Sequence, residues 1–259
     1  MIINLSGKIA LVTGSTAGIG FGVVQGLAAA GATVVLNGRI QDEVDAAVTK
    51  LRGAVRGVVA ELGTIEGHQT LVDAVPAADI VVSNLGIIEQ SDFFVTDDET
   101  WARHWNVNVM AGVRLARSYL PGMKEKGWGR FIFLGSESAF NIPVEMIHYG
   151  VSKTADVALA RGLAKRMAGT GVTVNSVLPG PTLSESVTSM LERQRGNSER
   201  SIEDLAKDFV KKHRSSSIIQ RATTINEVAN MIVYLASPQA TATTGAAVRV
   251  DGGVIDTIM

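Results

Sequence analysis

The segment that decides the fold is Lys8-Ile9-Ala10-Leu11-Val12-Thr13-Gly14-Ser15-Thr16-Ala17-Gly18-Ile19-Gly20, an apolar run that leads directly into a glycine-rich turn. The apolar run predicts a buried strand, and the residues after the turn predict the first helix. Glycines at this spacing permit a tight turn, let the backbone approach a pyrophosphate, and allow close helix–strand packing. Glycines also punctuate ordinary loops, but the position between a strand and a helix favours a nucleotide site.

Short β-branched runs alternate with longer amphipathic stretches along the rest of the chain. Near-continuous apolar strands are typical of a parallel sheet that is covered on both faces. We therefore predict a single α/β domain over residues 1–259, with a three-layer, doubly wound (Rossmann) fold and a seven-stranded parallel sheet. The predicted strands are Lys8–Thr13, Thr33–Asn37, Val55–Ala60, Asp79–Ser83, Arg130–Leu134, Thr173–Leu178 and Ala247–Val250. The predicted helices cover residues 18–30, 41–52, 65–75, 98–126, 149–169 and 225–236, and a capping box at Thr96-Asp97-Asp98-Glu99 begins the fourth.

The composition excludes several classes of protein. The 259 residues carry a net charge of -1 and include no cysteine, which argues against disulfides, thiol chemistry and electrostatic binding to nucleic acid. The one compact basic cluster, Lys211-Lys212-His213-Arg214, is interpreted as the charged end of an exposed helix. No apolar run reaches membrane-spanning length, and the chain starts without a signal-peptide pattern, so we expect a soluble cytoplasmic protein.

Residues 183–220 break the alternation of strands and helices. They are polar and helix-prone, in two pieces (Leu183–Arg195 and Ile202–His213) separated by Gly196-Asn197-Ser198, and they contain no strand pattern. An excursion of this length within a compact domain is usually functional. We expect a helical lid over a substrate site.

The residues that follow the second predicted strand bear on cofactor choice. A dinucleotide-binding unit usually has a carboxylate there, which binds the ribose 2′-hydroxyl. This chain instead has Asn37-Gly38-Arg39, and Arg39 offers a planar guanidinium that suits a 2′-phosphate. Asp42 and Glu43 come later, where they belong to the first turn of the next helix. The sequence therefore favours NADP(H) over NAD(H).

Tyr149 and Lys153 stand four residues apart at the start of a predicted helix, so both side chains lie on one helical face. A free tyrosine titrates near pH 10, but a cation about 4 Å away favours the phenolate by roughly 4 kcal/mol at an effective dielectric near 20. At about 1.4 kcal/mol per pKa unit, a fall of two to three units is feasible after desolvation. Such a tyrosine is able to donate and accept a proton. An ordinary surface pair has the same spacing, so the pair alone decides nothing.

Taken together, the motifs resemble those of the short-chain dehydrogenase/reductase (SDR) family over essentially the whole chain. Ser136 stands thirteen residues before Tyr149, and Asn108 lies in Trp105-Asn106-Val107-Asn108-Val109. The remaining matches are the glycine turn at Thr13–Gly20, Ser83-Asn84-Leu85-Gly86, Leu178-Pro179-Gly180, Thr244-Gly245 and Asp251-Gly252-Gly253. Ser83 and Leu85 depart from the family's Asn and Ala, and Glu61-Leu62 stands where the family usually has Asp before an apolar residue, near the adenine.

The resemblance implies an oxidoreductase that transfers hydride between a nicotinamide and a carbonyl or alcohol carbon. Its implied catalytic residues are Asn108, Ser136, Tyr149 and Lys153. Ser136 donates to the substrate oxygen and Tyr149 transfers the proton, while Lys153 lowers the tyrosine pKa and binds the ribose, and Asn108 holds a water. Ser138 and Asn106 compete for two of these roles, but the family register favours Ser136 and Asn108. The implied cofactor-binding residues are Gly14, Ser15, Thr16, Gly18, Ile19, Gly20, Arg39, Glu61, Leu62, Asn84, Gly86, Tyr149, Lys153, Pro179, Gly180 and Thr182.

Substrate and assembly are less readable from the sequence. Residues 137–148 are expected to line one wall of the substrate site; Phe140, Ile142, Val144 and Met146 are either apolar lining or core, and Glu137, Glu145 and His148 are its polar candidates, with packing favoured for His148. A 3-oxoacyl thioester, a sugar, a steroid and a xenobiotic ketone all remain open as substrates. The resemblance also implies a homo-oligomer, a dimer or tetramer, that pairs helices 98–126 and 149–169. The small residues Ala155, Ala158, Ala160, Gly162 and Ala164 suit such pairing or packing within one subunit.

Two other functions compete with this one. A non-catalytic NADP(H)-binding sensor on the same fold would not need the proton-handling residues, so their presence argues against it. An epimerase or dehydratase of the extended branch usually has differently spaced glycines and a larger C-terminal domain than this length accommodates.

Overall fold

The structure is a computed structural model that describes residues 2–196 and 199–258. Its strands are β1 (Ile9–Val12), β2 (Thr33–Gly38), β3 (Val55–Val59), β4 (Ile80–Ser83), β5 (Gly129–Leu134), β6 (Val172–Pro179), β7 (Thr182–Leu183), β8 (Thr223–Thr224) and β9 (Ala247–Val250). Seven of them form one parallel sheet in the order β3-β2-β1-β4-β5-β6-β9. The predicted seven-stranded parallel sheet is therefore confirmed. The strand order reverses between β1 and β4, and open parallel sheets bind ligands outside the carboxyl ends of the strands at such a point.

Helices cover both faces of the sheet, as the continuous apolar strands require. They are α1 (Gly18–Ala29), α2 (Gln41–Thr49), α3 (Ile65–Ala74), α4 (Asp98–His104), α5 (Ala111–Glu125), α6 (Ile147–Arg166), α7 (Glu185–Arg195), α8 (Ile202–His213) and α9 (Ile225–Ala236). Apolar side chains of α1, α2 and α9 pack on one face of the sheet, and those of α3, α5 and α6 pack on the other. These three layers confirm the doubly wound fold. Within the described residues, no helix is long and apolar enough to cross a membrane.

The predicted helix over 98–126 is not regular. A π-helical segment, Trp105–Met110, lies between α4 and α5 and carries Asn108. The predicted capping box at its start is wrong by one residue, because the Asp97 side chain accepts the hydrogen bond of the Thr100 N–H at 2.8 Å and so caps α4. The Thr96 hydroxyl is engaged elsewhere, donating to the Asp92 carbonyl at 2.7 Å. Extra backbone length in a π-helical turn often marks a functional position.

The segment at 183–220 contains the two predicted helical pieces, now α7 and α8. The expectation that it holds no strand is wrong at its first residue: Leu183 ends β7, which pairs with β8, and α7 begins only after Ser184 caps it. Of the predicted separator Gly196-Asn197-Ser198, Gly196 ends α7, while Asn197 and Ser198 lie outside the described residues. Lys211, Lys212 and His213 form the exposed last turn of α8, as predicted for the basic cluster. Its fourth residue departs from the prediction, because Arg214 lies just beyond the helix with only 14% of its side chain exposed.

Candidate active site

The glycine turn is held in shape by two asparagines. The Asn84 amide, at the end of β4, donates to the carbonyls of Thr13 and Gly14 at 2.9 and 2.7 Å. The Asn37 amide, fully buried in β2, donates to the Gly38, Val58 and Ala60 carbonyls and accepts the Gly14 N–H at 3.3 Å. A Cβ on Gly20 would lie 2.5 Å from the Asn84 amide nitrogen, so α1 approaches the turn as closely as it does only because that residue is glycine. The turn survives the departures at Ser83 and Leu85.

A cavity of about 670 Å³ opens beside this turn at the carboxyl ends of β1, β2 and β4. It is lined by seven of the sequence-predicted cofactor residues, namely Gly14, Thr16, Arg39, Glu61, Leu62, Asn84 and Gly86. Arg39 stands on the rim with 70% of its side chain exposed, and its guanidinium lies 3.9 Å from the Glu61 carboxylate. The exposed cation is therefore free to meet an anionic ligand, because a contact this long and this solvated holds it weakly.

A smaller groove of about 310 Å³ continues past the N-terminus of α1, lined by the predicted residues Gly18, Ile19, Gly20 and Asn84 and by residues of α7. The Gly18 N–H donates to the carboxylate of Glu185, the first residue of α7, at 2.9 Å. Unpaired N–H groups at a helix N-terminus form an anion site. In this structure a carboxylate of the chain itself occupies part of that site.

Four other predicted cofactor residues make hydrogen bonds or close packing contacts within the protein itself. The Ser15 hydroxyl is fully buried, donates to the Val12 carbonyl at 2.7 Å and accepts the Asn37 N–H at 3.1 Å. Pro179 ends β6 beside Val250 of β9. A Cβ on Gly180 would lie 2.7 Å from the Asp251 carbonyl oxygen. The Thr182 hydroxyl lies 2.9 Å from that of Thr223 and so links β7 to β8.

Two of the predicted catalytic side chains, Asn108 and Lys153, lie close together at the carboxyl ends of β4 and β5. The Asn108 amide is buried and donates to the Ser152 hydroxyl at 2.9 Å, and its oxygen accepts the Ile87 N–H at 2.8 Å. The Lys153 ammonium donates to the Leu134 carbonyl at 2.8 Å, two residues before Ser136. A Cβ on Gly86 would lie 3.4 Å from Lys153 Nζ and 3.6 Å from Asn108 Oδ1, so Gly86 leaves room for both. The competing Asn106 is exposed on the rim of the larger cavity.

The other two predicted catalytic residues lie near this pair in the chain: Ser136 comes two residues after Leu134, and Tyr149 comes one helical turn before Lys153. Ser136 follows β5 and is buried, and its hydroxyl accepts the Ser138 N–H at 3.1 Å, capping a 3₁₀ turn at Glu137–Ala139. Tyr149 is half-buried in the first turn of α6, which begins at Ile147, two residues before the predicted start. The Thr154 hydroxyl donates to the Ala139 carbonyl at 2.7 Å, which fixes α6 against the turn that carries Ser136.

A buried carboxyl group lies beside the Lys153 ammonium. Asp156, one helical turn after Lys153, places Oδ2 at 3.3 Å from the ammonium, and both side chains are about 5% exposed or less. Burial raises the pKa of Asp156 to about 6, although the Lys153 charge and its hydrogen bond act in the opposite direction. Its other oxygen, Oδ1, is buried without a hydrogen-bond partner among the described residues. Buried carboxylates normally fill both acceptor positions, so this arrangement is costly and calls for a reason.

Glu137 links the 3₁₀ turn at Glu137–Ala139 to the 183–220 segment. Its carboxylate, 5% exposed, accepts a hydrogen bond from the Arg214 guanidinium at 2.6 Å, just beyond the end of α8. Burial raises the pKa of Glu137, and Arg214 opposes that shift. The contact joins the residue after Ser136 to a residue 77 positions away. The end of α8 is thus held against the site by a nearly buried ion pair.

The other expected wall residues divide between core and surface. His148 is buried, with its ring 4.3 Å from the His104 ring and 6.0 Å from the Trp101 ring, which is the packing role favoured from the sequence. Burial and the neighbouring His104 lower the pKa of His148. Met146 is buried, whereas the remaining apolar candidates Phe140, Ile142 and Val144 are exposed.

Comparisons with known proteins agree on one family. A family model described as enoyl-(acyl carrier protein) reductase matches residues 14–255. The uncharacterized oxidoreductase YvaG of Bacillus subtilis (strain 168) is 42% identical, with 100% of both chains covered. Mouse dehydrogenase/reductase SDR family member 4 is 33% identical over 96% of this chain and 88% of that protein. The chain belongs to the short-chain dehydrogenase/reductase family.

Solved SDR structures show the same fold. The crystal structure of L-sorbose reductase from Gluconobacter frateurii, complexed with NADPH and L-sorbose, matches with a TM-score of 0.93 at 31% identity, covering 100% of both chains. SDR proteins are oxidoreductases that use nicotinamide cofactors, and the residues present fit such a group. Gly14 and Gly18 adopt positive φ values of 56° and 59°, which turn the backbone toward the groove, and the Gly18 N–H already binds a carboxylate. Among the described residues there is no cluster of His, Asp or Glu suited to a metal ion.

Sequence reasoning missed three residues of this SDR site. Asp156 had a usable signal, since a carboxylate three positions after Lys153 shares its helical face. Glu185 and Arg214 had none, because their partners Gly18 and Glu137 are 167 and 77 positions away in the chain.

Proposed function

We propose that this SDR protein is an NADP(H)-dependent oxidoreductase that interconverts a carbonyl compound and a secondary alcohol, with Tyr149 as the acid/base. The observation that carries the proposal is that Lys153 and Asn108 lie together next to Gly86, beside the glycine cradle, with Tyr149 one helical turn before Lys153 on α6. The contact of Asn108 with Ser152, between Tyr149 and Lys153 in the chain, links the π-helical turn to the start of α6. A sensor without chemistry needs no such arrangement.

The bound nicotinamide supplies or removes the hydride, and the chain has to manage one proton. Ser136 donates a hydrogen bond to the substrate oxygen, which carries developing negative charge during reduction. Tyr149 gives that oxygen its proton, or removes it during oxidation, and the Lys153 ammonium favours the phenolate form through its charge. Asn108 makes hydrogen bonds with the backbone of Ile87 and with the Ser152 hydroxyl. These bonds hold the segment after β4 and the start of α6 in place around Lys153.

The preference for NADP(H) rests on Arg39. Its guanidinium stands on the rim of the larger cavity, where the strand-end carboxylate of an NAD(H) site is absent. A planar guanidinium binds a phosphate through two parallel hydrogen bonds. The NADPH complex of L-sorbose reductase supports the same choice. NADPH is therefore expected to give the higher kcat/KM.

Two further proposals concern the segment at 183–220 and the assembly. We propose that α7 and α8 form the substrate lid, supported by the contacts of Glu185 with Gly18 and Arg214 with Glu137.

We also propose a homo-oligomer that pairs α5 and α6. Ala160 and Ala164 pack inside the subunit, whereas Ala158 and Gly162 face outward and leave room for a second copy. Light scattering that finds a monomer at working concentration would overturn the assembly.

The function is tested with purified protein, NADPH and a panel of 3-oxoacyl thioesters, enoyl thioesters, ketoses and simple ketones. Oxidation of NADPH with at least one carbonyl is expected, and Tyr149→Phe should lower kcat by about 10² to 10⁴, the usual contribution of a general acid. Cofactor binding, followed by NADPH fluorescence, should be largely unchanged in that variant. Near wild-type turnover in Tyr149→Phe would contradict the mechanism, and activity with enoyl thioesters alone would contradict the substrate class.

A further inference from the structure

The buried carboxyl group of Asp156 has no part in the mechanism described above. It lies on the inner face of α6, one turn beyond Lys153, and its Oδ2 is 3.3 Å from the ammonium. The ammonium also donates to the Leu134 carbonyl at 2.8 Å. These two acceptors hold Lys153 Nζ between the helix and the end of β5, next to Gly86 and Asn108.

We infer that Asp156 is a positioning residue of the acid/base centre, which anchors the Lys153 ammonium and offsets its charge so that Tyr149 keeps its proton to higher pH. The inference rests on the proposed function. A positive charge beside Tyr149 favours the phenolate, and a negative charge on the far side of that ammonium opposes the effect. The Asp156 carboxyl group and the Lys153 ammonium are both nearly buried, so solvent screens their charges little.

This arrangement favours proton donation over proton removal. A tyrosine that stays protonated to higher pH is ready to protonate the oxygen of a carbonyl substrate, which is the step required in reduction. Asp156 therefore biases the centre toward reduction at neutral and mildly alkaline pH. Because burial raises the pKa of Asp156 only to about 6, its charge is present over that range.

Lys153 is the charged residue that affects the pKa of Asp156. Burial raises the pKa of Asp156, and the Lys153 charge opposes this rise. The π-helical turn and β6, which pack on α6, carry no titratable side chain. The guanidinium of Arg130 on β5 is bonded at the opposite end of the strand, to the Ser237 and Gly171 carbonyls. The other titratable groups on α6 and its neighbours are Asp98, Glu99, Arg103 and His104 on α4, Glu137 and Glu145 on the 3₁₀ turns, and His148, Arg161, Lys165 and Arg166 on α6.

The test removes the charge while keeping the shape, with Asp156→Asn. Tyrosinate absorbance near 295 nm is titrated in the full-length protein without substrate, and subtraction of the Tyr149→Phe titration isolates Tyr149. The chain has three tyrosines, and Tyr119, whose pKa burial raises to about 12, titrates outside the range of interest. Asp156 follows Tyr149 by seven residues on α6, a separation of roughly 10 Å at about 1.5 Å per residue. At an effective dielectric near 20, a unit charge at that distance shifts a titration by about one unit. We expect the Tyr149 midpoint to fall by about one unit or more in Asp156→Asn.

Two further variants separate charge from structure. Asp156→Glu retains the charge and should restore the wild-type midpoint. Asp79→Asn is the control, since Asp79 is also a largely buried carboxylate paired with a lysine, the more exposed Lys126 at 3.1 Å. Asp79 precedes β4, so it lies at the amino ends of the strands, whereas Tyr149 follows the carboxyl end of β5. This control should leave the midpoint unchanged. If Asp156→Asn does not fold by circular dichroism, Asp156→Ser is titrated in its place.

The kinetic counterpart is the pH profile of kcat/KM for reduction, whose alkaline fall should move to lower pH by the same amount in Asp156→Asn. A midpoint and profile equal to wild type in the folded variant would overturn the inference and leave Asp156 a packing group. The titration needs no turnover. If no carbonyl is reduced, the proposed function fails while the charge coupling of Asp156 is still measured.

Discussion

The carboxylate of Glu185 leads to the sharpest prediction about cofactor binding. It accepts the Gly18 N–H at 2.9 Å, at the N-terminus of α1, where the phosphates of a nicotinamide dinucleotide are proposed to bind. An entering pyrophosphate has to displace this carboxylate or share the site with a like charge. We therefore expect Glu185→Gln to bind NADPH more tightly than wild type.

The size of the effect follows from the exposure of the contact. Hydrogen bonds to a charged group contribute about 1.5–3 kcal/mol when buried, but this pair is exposed, which leaves roughly 1 kcal/mol. Since about 1.4 kcal/mol is tenfold in affinity, the Kd for NADPH should fall about fivefold. Loss of one negative charge near the phosphates acts in the same direction, and added salt should reduce the difference between variant and wild type.

The assay is a titration of NADPH fluorescence at low and at high ionic strength, with no substrate present. Glu192→Gln is the matched control, because Glu192 is an exposed glutamate two turns further along α7, and it should change the Kd little. A Kd for Glu185→Gln that equals wild type, or that is weaker, would show that the carboxylate does not compete with the cofactor.

Three other changes have definite expected outcomes. Arg39→Glu should lower kcat/KM for NADPH at least tenfold and raise the relative use of NADH, and an unchanged ratio would refute the role of Arg39. Asn37→Ala removes a buried amide whose NH2 group has three carbonyl oxygens within 3.2 Å, and should lower the free energy of unfolding by about 2–4 kcal/mol, measured in urea. Hydrogen bonds from Arg221 and Thr224 lower the pKa of Glu227 to about 2, below its ordinary 4.5. The stability it confers is present above pH 4.5 and is lost as the pH falls toward 2, so Glu227→Gln should be less stable than wild type at pH 7 and match it near pH 2.

The fold could be predicted almost entirely from local patterns. The apolar run before Gly14 and the later runs of the same kind became the seven strands of the sheet, since continuous apolar runs are typical of strands buried on both faces. Helix α9 coincides with its prediction at both ends, Ile225 and Ala236, because Thr224 and Glu227 form a complete capping box. The box predicted at Thr96 was wrong because Asp97 offered the better-placed acceptor.

The polar layer behind the site was not readable in the same way. Periodicity reports which face of an element is buried, but not which buried polar atoms meet. Asn37 was treated only as part of a strand end, yet its amide ties three carbonyls of β2 and the β3 end to the glycine turn. The exposure of Phe140 and the burial of Met146 likewise depend on how α6 meets the 3₁₀ turns, which no short-range pattern fixes.

Two of the contacts of the 183–220 segment link the proposed parts of the site to one another. Glu185 binds the N-terminus of α1, and Arg214 binds Glu137 beside Ser136, so the two ends of the segment rest on the proposed cofactor site and on the proposed catalytic loop. The first contact is exposed and is expected to compete with phosphate, whereas the second is nearly buried and costly to break. An arriving cofactor should therefore free the α7 end of the proposed lid, whereas the end that follows α8 stays anchored by Arg214 and by the hydrogen bonds of Ser216 and Ile218 to the Val254 and Gly252 carbonyls.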